Sequence, residues 1–238
     1  RYTRAGRAGR RNGFISFISG VSMLGIALGV AALVIVLSVM NGFQKEVRDR
    51  MLSVIAHIEV MDAGGNALAD WRATAAAAQR DKRVTGAAPY IHAQGLVGRG
   101  EELRFSIVRG IDPAEEGKVT DLARTQGELF ARLKPGEWNI VVGVELARML
   151  GARIGDKVTV ISPSGQTTPA GVVPRLKQFT LVGVFDVGHY EYDSALALIH
   201  LDDAARLFRV EGPTGVQLRL ANVHDARDVG QALQASMG

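Results

Sequence analysis

Residues 214–235, TGVQLRLANVHDARDVGQALQA, read as a strand, a turn and an Asp-capped helix. The same plan occurs earlier. AHIEVM (56–61) reads as a strand and GGN (64–66) as a turn. ALADWRATAAAAQRD (67–81) is an alanine-rich helix, VTGAAPYIHAQGLV (84–97) a second strand, and LRFSIVRGID (103–112) alternates apolar and polar residues as a third. The first unit is βαββ, and the second stops before its next strand. Two half-similar units separated by other material predict one split domain with another inserted into it.

The insertion runs over residues 137–209. NIVVG (139–143) is a buried-looking strand, and VELARML (144–150) a short helix ended by Gly151, which suits a left-handed cap. IGDKVTVIS (154–162) turns into a strand, KQFTLVGVFDV (177–187) and DSALALIHL (193–201) are strands, and DDAARLFRV (202–210) is an Asp-capped terminal helix. Between two of these strands lies SPSGQTTPAGVVPRLKQ (162–178), with three of the seven prolines. Structureless connections beyond roughly twelve residues are usually functional or disordered. The stretch is a long loop between two antiparallel partners, extending from the small mostly-β lobe; a floppy linker is the rival reading, since Ser, Gly and Thr are abundant in it.

Ahead of these units, no charged side chain occurs from residue 12 to residue 44. As a helix this run spans about 50 Å, more than a bilayer's hydrocarbon core, and residues 21–40 have the length to cross once. GFISFIS (13–19) is an amphipathic segment suited to the interface. No small-residue cleavage site follows the run, which argues against a signal peptide. Val47, Met51, Val54 and Ile55 recur at helical spacing, so the helix continues outward as a stalk towards Ala56. Gly25 and Gly29 form a small-residue helix-packing face.

Charge gives the orientation. The formal net charge is +4, and Arg1, Arg4, Arg7, Arg10 and Arg11 supply five of the 28 basic residues, leaving 23 against 24 acidic ones. The excess belongs to the tail, not to a groove that tracks a phosphate backbone, so no nucleic acid partner is expected. Arginines before the helix put the N-terminus in the cytoplasm and the remainder in the periplasm of a Gram-negative cell. There is no cysteine, which excludes disulfides, thiolate nucleophiles and Cys-based zinc sites. The chain starts at Arg1 and stops at Gly238 after a helix-like segment, so both ends are expected to be cut.

Catalytic motifs are missing. GIDPAEEGKVT (110–120) has the wrong gap for a phosphate loop and Val119 where a hydroxyl is needed, so it reads as a helix with a turn. GLVGRG has the wrong spacing for a dinucleotide fingerprint. In HYEYD, His189, Glu191 and Asp193 share one face if the segment is a strand, but a solvated hairpin or edge is the simpler reading, and no metal or cofactor is assigned. His57, His92, His200 and His224 stand singly, as surface or satisfied structural residues. No enzyme activity is expected.

Three stretches carry a resemblance. GFISFISGVSMLGIALGVAALVIVLSVMNGFQKEVRDRML (13–52) followed by IAHIEV (55–60), with SVMNGFQKE its distinctive part, resembles the start of a LolC/LolE-type lipoprotein-releasing ABC transporter permease. GVELARMLGARIGDKVTVISP (143–163) and FTLVGVF (179–185) with DSALALIHLDDAARLF (193–208) are similar to that family's periplasmic region. The similarity covers nearly the whole chain, and the wider class includes MacB-like permeases.

That resemblance implies four membrane helices in the whole permease, a second permease subunit, ATPase subunits that hydrolyse ATP, a lipoprotein substrate and a soluble LolA-like periplasmic carrier. It implies a split porter-like lobe, an inserted sabre-like lobe, and a hook hairpin that captures the carrier. The hook carries over onto Pro169, Gly171, Val172, Val173, Pro174 and Arg175, then Lys177 and Gln178. Its prolines reduce the freedom lost on docking, the valines offer an apolar tip, and Arg175 a planar donor fork. Met40, Phe43 and Val47 are the candidates lining the outer mouth for the lipoprotein.

The expected architecture is α+β: 1–19 basic tail and interfacial segment, 20–56 transmembrane and stalk helix, 57–130 first porter-like half, 131–211 sabre-like lobe with the hook loop 162–178, and 212–238 the start of the second porter-like half. The expected function is a permease subunit of the inner membrane that hands lipoproteins to a carrier. A MacB-like efflux or mechanotransmission permease and a single-span periplasmic receptor or adaptor are the alternatives.

Overall fold

The computed structural model describes residues 8–52, 56–62, 64, 66–168 and 171–237, with side chains described except at 8–15, 45–52, 164, 166–168 and 171–172. The chain divides into two compact units, Arg1–Asp49 and Arg50–Gly238. The first is helical. α1 (Ala8–Leu52) is unbroken, and its stretch Ser16–Gln44 is long and apolar enough to cross a membrane, with every side chain exposed. GFISFIS, expected along the interface, is helical and continuous with this stretch. Arg1, Arg4 and Arg7 lie outside the described residues.

The second unit opens with β1 (Ile58–Met61) and α2 (Trp71–Ala78), whose N-cap Asp70 accepts from the N–H groups of Arg72 and Ala73. β2 (Val84–Arg99) and β3 (Glu102–Ile111) follow, then the short helices α3 (Pro113–Glu116), α4 (Asp121–Thr125) and α5 (Gly127–Phe130). Next come β4 (Asn139–Gly143), α6 (Val144–Met149), β5 (Lys157–Thr168), β6 (Gly171–Phe185), α7 (Tyr190–Ala195), β7 (Leu196–His200) and α8 (Leu201–Phe208). β8 (Gly215–Leu220), a 3-10 turn at Val223–Asp225 and α9 (Ala226–Met237) end it.

All eight strands form one sheet in the order β1-β8-β2-β3-β7-β4-β6-β5. β8 is antiparallel to both its neighbours, so β1 and β2 run parallel with α2 as their crossover and the last strand inserted between them. This is the split βαβ unit that the sequence predicts. One face of it buries Val84, Ala87, Val216 and Leu218 under α2 and α9, through Ala75, Ala78, Val229 and Leu233.

β5 also pairs with β2, at Leu96↔Ile161, Val97↔Val160 and Gly98↔Thr159, and this closes β2, β3, β7, β4, β6 and β5 into a barrel. Its interior is apolar: Val97, Val108, Ile140, Val142, Val158, Val160, Phe179, Leu181 and Ile199 belong to one buried cluster. α8 touches β2, β3, β5, β6 and β7 and adds Ala204 and Leu207 to that cluster, so it stoppers the barrel. Closure requires a glycine. A Cβ on Gly95 would lie 2.7 Å from the Ile161 carbonyl oxygen, which leaves no room for a side chain at the seam. β2 and β3, from the expected first half, thus share the barrel with the strands of residues 131–211.

Local expectations differ from the structure at three places. HYEYD is not a strand: Asp193 is buried and its carboxylate accepts from the N–H of Val187 (3.0 Å) and of His189 (3.1 Å), which curls the chain into α7. His189, Glu191 and Asp193 therefore share no strand face. The cap of α8 is His200, whose Nδ1 accepts from the Asp202 N–H, and Asn222 caps the turn before α9. Finally, the described part of 162–178 is not loop but the paired arms of β5 and β6. Of the single histidines, His57 accepts the N–H of Leu220 on its Nδ1 (3.1 Å).

The other face of the split unit is polar although buried. The Arg109 guanidinium pairs with the Glu59 carboxylate and lies 4.9 Å from the centre of the Tyr90 ring, and Tyr90 donates to Glu59 Oε2 (3.1 Å). Beside them Glu116 is buried on α3. Burial pushes its carboxyl up to about 7; Arg109 and the Thr120 hydroxyl oppose the shift, while Asp112 and Glu59 add to it.

Two outcomes are expected from this fold. Gly95→Val destabilises the unit by about 1–3 kcal/mol, read in thermal unfolding of the detergent-solubilised chain, because the side chain must displace the β5 backbone. Glu116 stays protonated in the folded chain while the unfolded chain ionises, so stability is greatest below the ordinary glutamate range and is lost as pH rises towards 7. About 3 kcal/mol is at stake, and Glu116→Gln flattens this part of the profile between pH about 5 and about 8.

Candidate functional site

The candidate site is the hairpin of β5 and β6. Its root is fixed on both sides. Thr159, Val160 and Ile161 pair with β2 across the seam and with Gln178, Lys177 and Leu176 of β6. Beyond Ser162↔Arg175 the ladder is interrupted and resumes at Gln166↔Val173, so residues 163–165 face Pro174 alone. Pro163 and Pro174 have no N–H to give the ladder, which accounts for the bulge at this level. Pairing then continues to Thr168↔Gly171. The connection, including Pro169, lies outside the described residues, as does the side chain of Val172.

Alternation gives the hairpin two faces. Pro174, Leu176 and Gln178 of β6 are exposed on one. The register extends this face into a row across four strands, Phe105, Leu96, Ile161 and Leu176. Leu176 is 65% exposed and Phe105 57%, so the row is an apolar surface open to solvent. On the other face stand Val173 (52% exposed), Arg175 and Lys177. Lys177 Nζ lies 4.3 Å from the centre of the Trp138 ring. Among the described residues the shielded Nε of Arg175 has no partner.

This second face borders an open groove of about 610 Å³ at the mouth of the barrel, which also takes in Trp138, Arg206, Leu207 and Arg209. Trp138 packs edge-on against Phe179 at 5.5 Å. Its backbone is held by Asp203, fully buried, whose carboxylate accepts from the N–H of Gly136 (2.8 Å) and of Trp138 (3.2 Å). The sequence reading missed Trp138, Leu176, Asp203, Arg206 and Arg209. The i, i+3 spacing of Arg206 and Arg209 at the end of a helix was a legible sign of a basic face; the role of Trp138 depends on a pairing 65 residues away in the chain.

Other predicted residues stand apart. Met40 and Phe43 are exposed on α1, and the side chain of Val47 lies outside the described residues. At Gly25 and Gly29 nothing beyond the helix's own backbone lies within 4 Å of where a Cβ would stand. Among the described residues no group of three His, Cys, Asp or Glu side chains is arranged to hold a metal ion.

A family model described as MacB-like periplasmic core domain matches residues 19–236. The lipoprotein-releasing system transmembrane protein LolC of Xylella fastidiosa (strain 9a5c) is 48% identical over 228 residues, 95% of this chain and 55% of that protein. The protein of the same name from Neisseria meningitidis serogroup B is 49% identical over 222 residues, 92% of this chain and 53% of that one. The crystal structure of the periplasmic region of MacB from Actinobacillus actinomycetemcomitans aligns with a TM-score of 0.41 at 11% identity, covering 75% of this chain and 82% of that one. The chain spans about half the length of the curated relatives it matches.

Removing the carboxylate that holds Trp138 tests this construction of the groove. Asp203→Ala leaves two N–H groups of the mouth unpaired, at a cost of about 3 kcal/mol. Fluorescence read in a Trp71→Phe background should shift to the red as Trp138 leaves Phe179 and gains water.

Proposed function

We propose, for a chain that belongs to the MacB-like periplasmic core domain family and within it to the LolC/LolE type, that it is part of a lipoprotein-releasing ABC transporter permease whose hairpin docks a soluble LolA-like carrier. Identity of 48–49% to proteins named LolC supports the transporter assignment. The observation that carries the docking role is the exposure of Val173, Pro174 and Leu176 on a hairpin whose root is pinned by two strand pairings. A soluble protein leaves such apolar side chains bare at a cost in solubility, and a partner surface recovers it. The two prolines at the level of the bulge stiffen the arms, so little conformational freedom remains to be lost on docking.

The remaining parts follow from this reading. α1 crosses the inner membrane, its N-terminal arginines held on the cytoplasmic side and the second unit in the periplasm. Gly25 and Gly29 receive a neighbouring helix, either of this permease or of a second permease subunit. Met40, Phe43 and Val47 lie where the helix leaves the bilayer, suited to the acyl chains of a lipoprotein moving outward. The chemical work of ATP hydrolysis belongs to separate ATPase subunits, and this chain transmits it mechanically.

The hairpin is tested by crosslinking. A photoreactive residue at position 174 is expected to capture a LolA-like carrier, and Val173→Asp is expected to lower capture at least roughly tenfold, since a charge must then be buried in an apolar contact. Undiminished capture by Val173→Asp removes the docking role and favours a MacB-like efflux or mechanotransmission permease, in which the hairpin is dispensable.

A further inference from the structure

The groove at the mouth of the barrel has a chemistry that apolar docking at the hairpin does not use. Four cations line it, Arg175, Lys177, Arg206 and Arg209, and no carboxylate does. Asp203, close by, is buried and engaged with two backbone N–H groups; Arg206 reaches it only at 3.9 Å. Among the described residues, Arg175, Lys177 and Arg209 make no ion pair and the shielded Nε of Arg175 has no partner. Like charges gathered in this way repel one another, and an anionic occupant relieves that repulsion.

The backbone gives a second, independent sign. Among the described residues, the two non-glycine residues in the left-handed region are Trp138 (φ 54°) and Arg209 (φ 53°), and both line this groove. Arg209 ends α8, at the kind of helix terminus where glycine fits without strain. An arginine and a tryptophan there are held in costly conformations, and residues so held gather at binding sites.

The groove's wall decides what kind of anion fits. β4 pairs with β6 only from Thr180 onward, and β5 covers the opposite edge. Along Val173 to Lys177 the groove-side edge of β6 therefore has no strand partner among the described residues, although Pro174 has no N–H to offer there. An extended peptide can add to such an edge, whereas a lipid headgroup or free phosphate has no backbone to pair with it. Trp138 and Leu207 supply an apolar floor for a side chain between the carboxylates.

We infer that this groove binds an acidic, extended peptide segment of the docking protein, laid along the free edge of β6 with its carboxylates towards Arg175, Arg206 and Arg209. The inference rests on the reading that the hairpin docks a soluble carrier, and names the chemistry the carrier must bring. Apolar contact at the hairpin tip and charge contact in the groove then act together, the first holding the complex and the second speeding and orienting its formation.

The test is equilibrium binding of a fluorescently labelled LolA-like carrier to the full chain in detergent, at about 0.05 M and about 0.3 M salt. Arg209→Gly suits the left-handed backbone and so keeps the fold; Arg206→Glu changes an exposed side chain. Each is expected to weaken binding roughly tenfold at low salt, with the difference shrinking to about threefold or less at high salt. Affinities and salt dependence equal to those of the unmodified chain in both variants overturn the inference. Val173→Asp then separates the two levels: if it alone abolishes binding, the docking hairpin stands and only the groove's role falls, and if it too has no effect, both fall. Vesicles of phosphatidylglycerol form the last arm. If the arginine variants lose vesicle binding but keep the carrier, the groove takes a headgroup and the inference is likewise overturned.

Discussion

Everything at the candidate site depends on one short seam, the pairing of Leu96, Val97 and Gly98 with Ile161, Val160 and Thr159. Without it the six strands are an open, curled sheet, free along β5 and along the second half of β2, whose first half pairs with β8. With it they form a barrel whose interior is filled by branched and aromatic side chains and stoppered by α8. The seam also decides where the hairpin begins. Strand pairing holds β5 on both sides up to Ile161, and from Ser162 outward it is held on one side only. A finger that leaves a rigid barrel at a fixed residue presents its faces in a fixed direction, and this turns an alternating sequence into two chemically distinct surfaces.

The split unit shows the same economy in another form. β8 is contributed by the end of the chain yet lies between β1 and β2, so neither half of the unit is complete without the other. The long β2 then carries the register from this unit into the barrel: its Tyr90, with Arg109 of the neighbouring β3, serves the polar cluster at one end, and its Val97 serves the seam at the other. That cluster pairs the buried Arg109 with a half-buried Glu59, and beside it burial pushes the Glu116 carboxyl up to about 7. Such pairs add little net stability, but removing one partner is costly because the other charge is then left buried alone.

What the sequence made legible was local. The order of the eight strands, the split unit and the left-handed Gly151 (φ 58°) after α6 follow from periodicity and turn chemistry. What it hid was long-range. Barrel closure depends on a glycine at position 95 lying against a carbonyl 66 residues later, and nothing in the pattern of β2 marks that glycine out from its neighbours Gly86 and Gly98. HYEYD alternates like a strand but curls into a helix because Asp193 captures backbone N–H groups behind it. Among the hook residues, Val173, Pro174 and Gln178 are exposed, whereas Arg175 and Lys177 turn towards the mouth, where Trp138, Arg206 and Arg209 meet them. Their meeting is a product of closure, and so is the groove.

The central claim is that the seam is part of the stable core, so that the hairpin projects from a rigid root. Native-state hydrogen exchange on the full chain tests it most directly. Backbone amides of residues 96–98 and 159–161 that are paired across the seam are expected to exchange only through global opening, as slowly as those of the barrel interior, while amides beyond Ser162 exchange much faster. Seam amides that exchange as fast as those of the outer arms would contradict the account, because the hairpin would then hang from an open sheet edge.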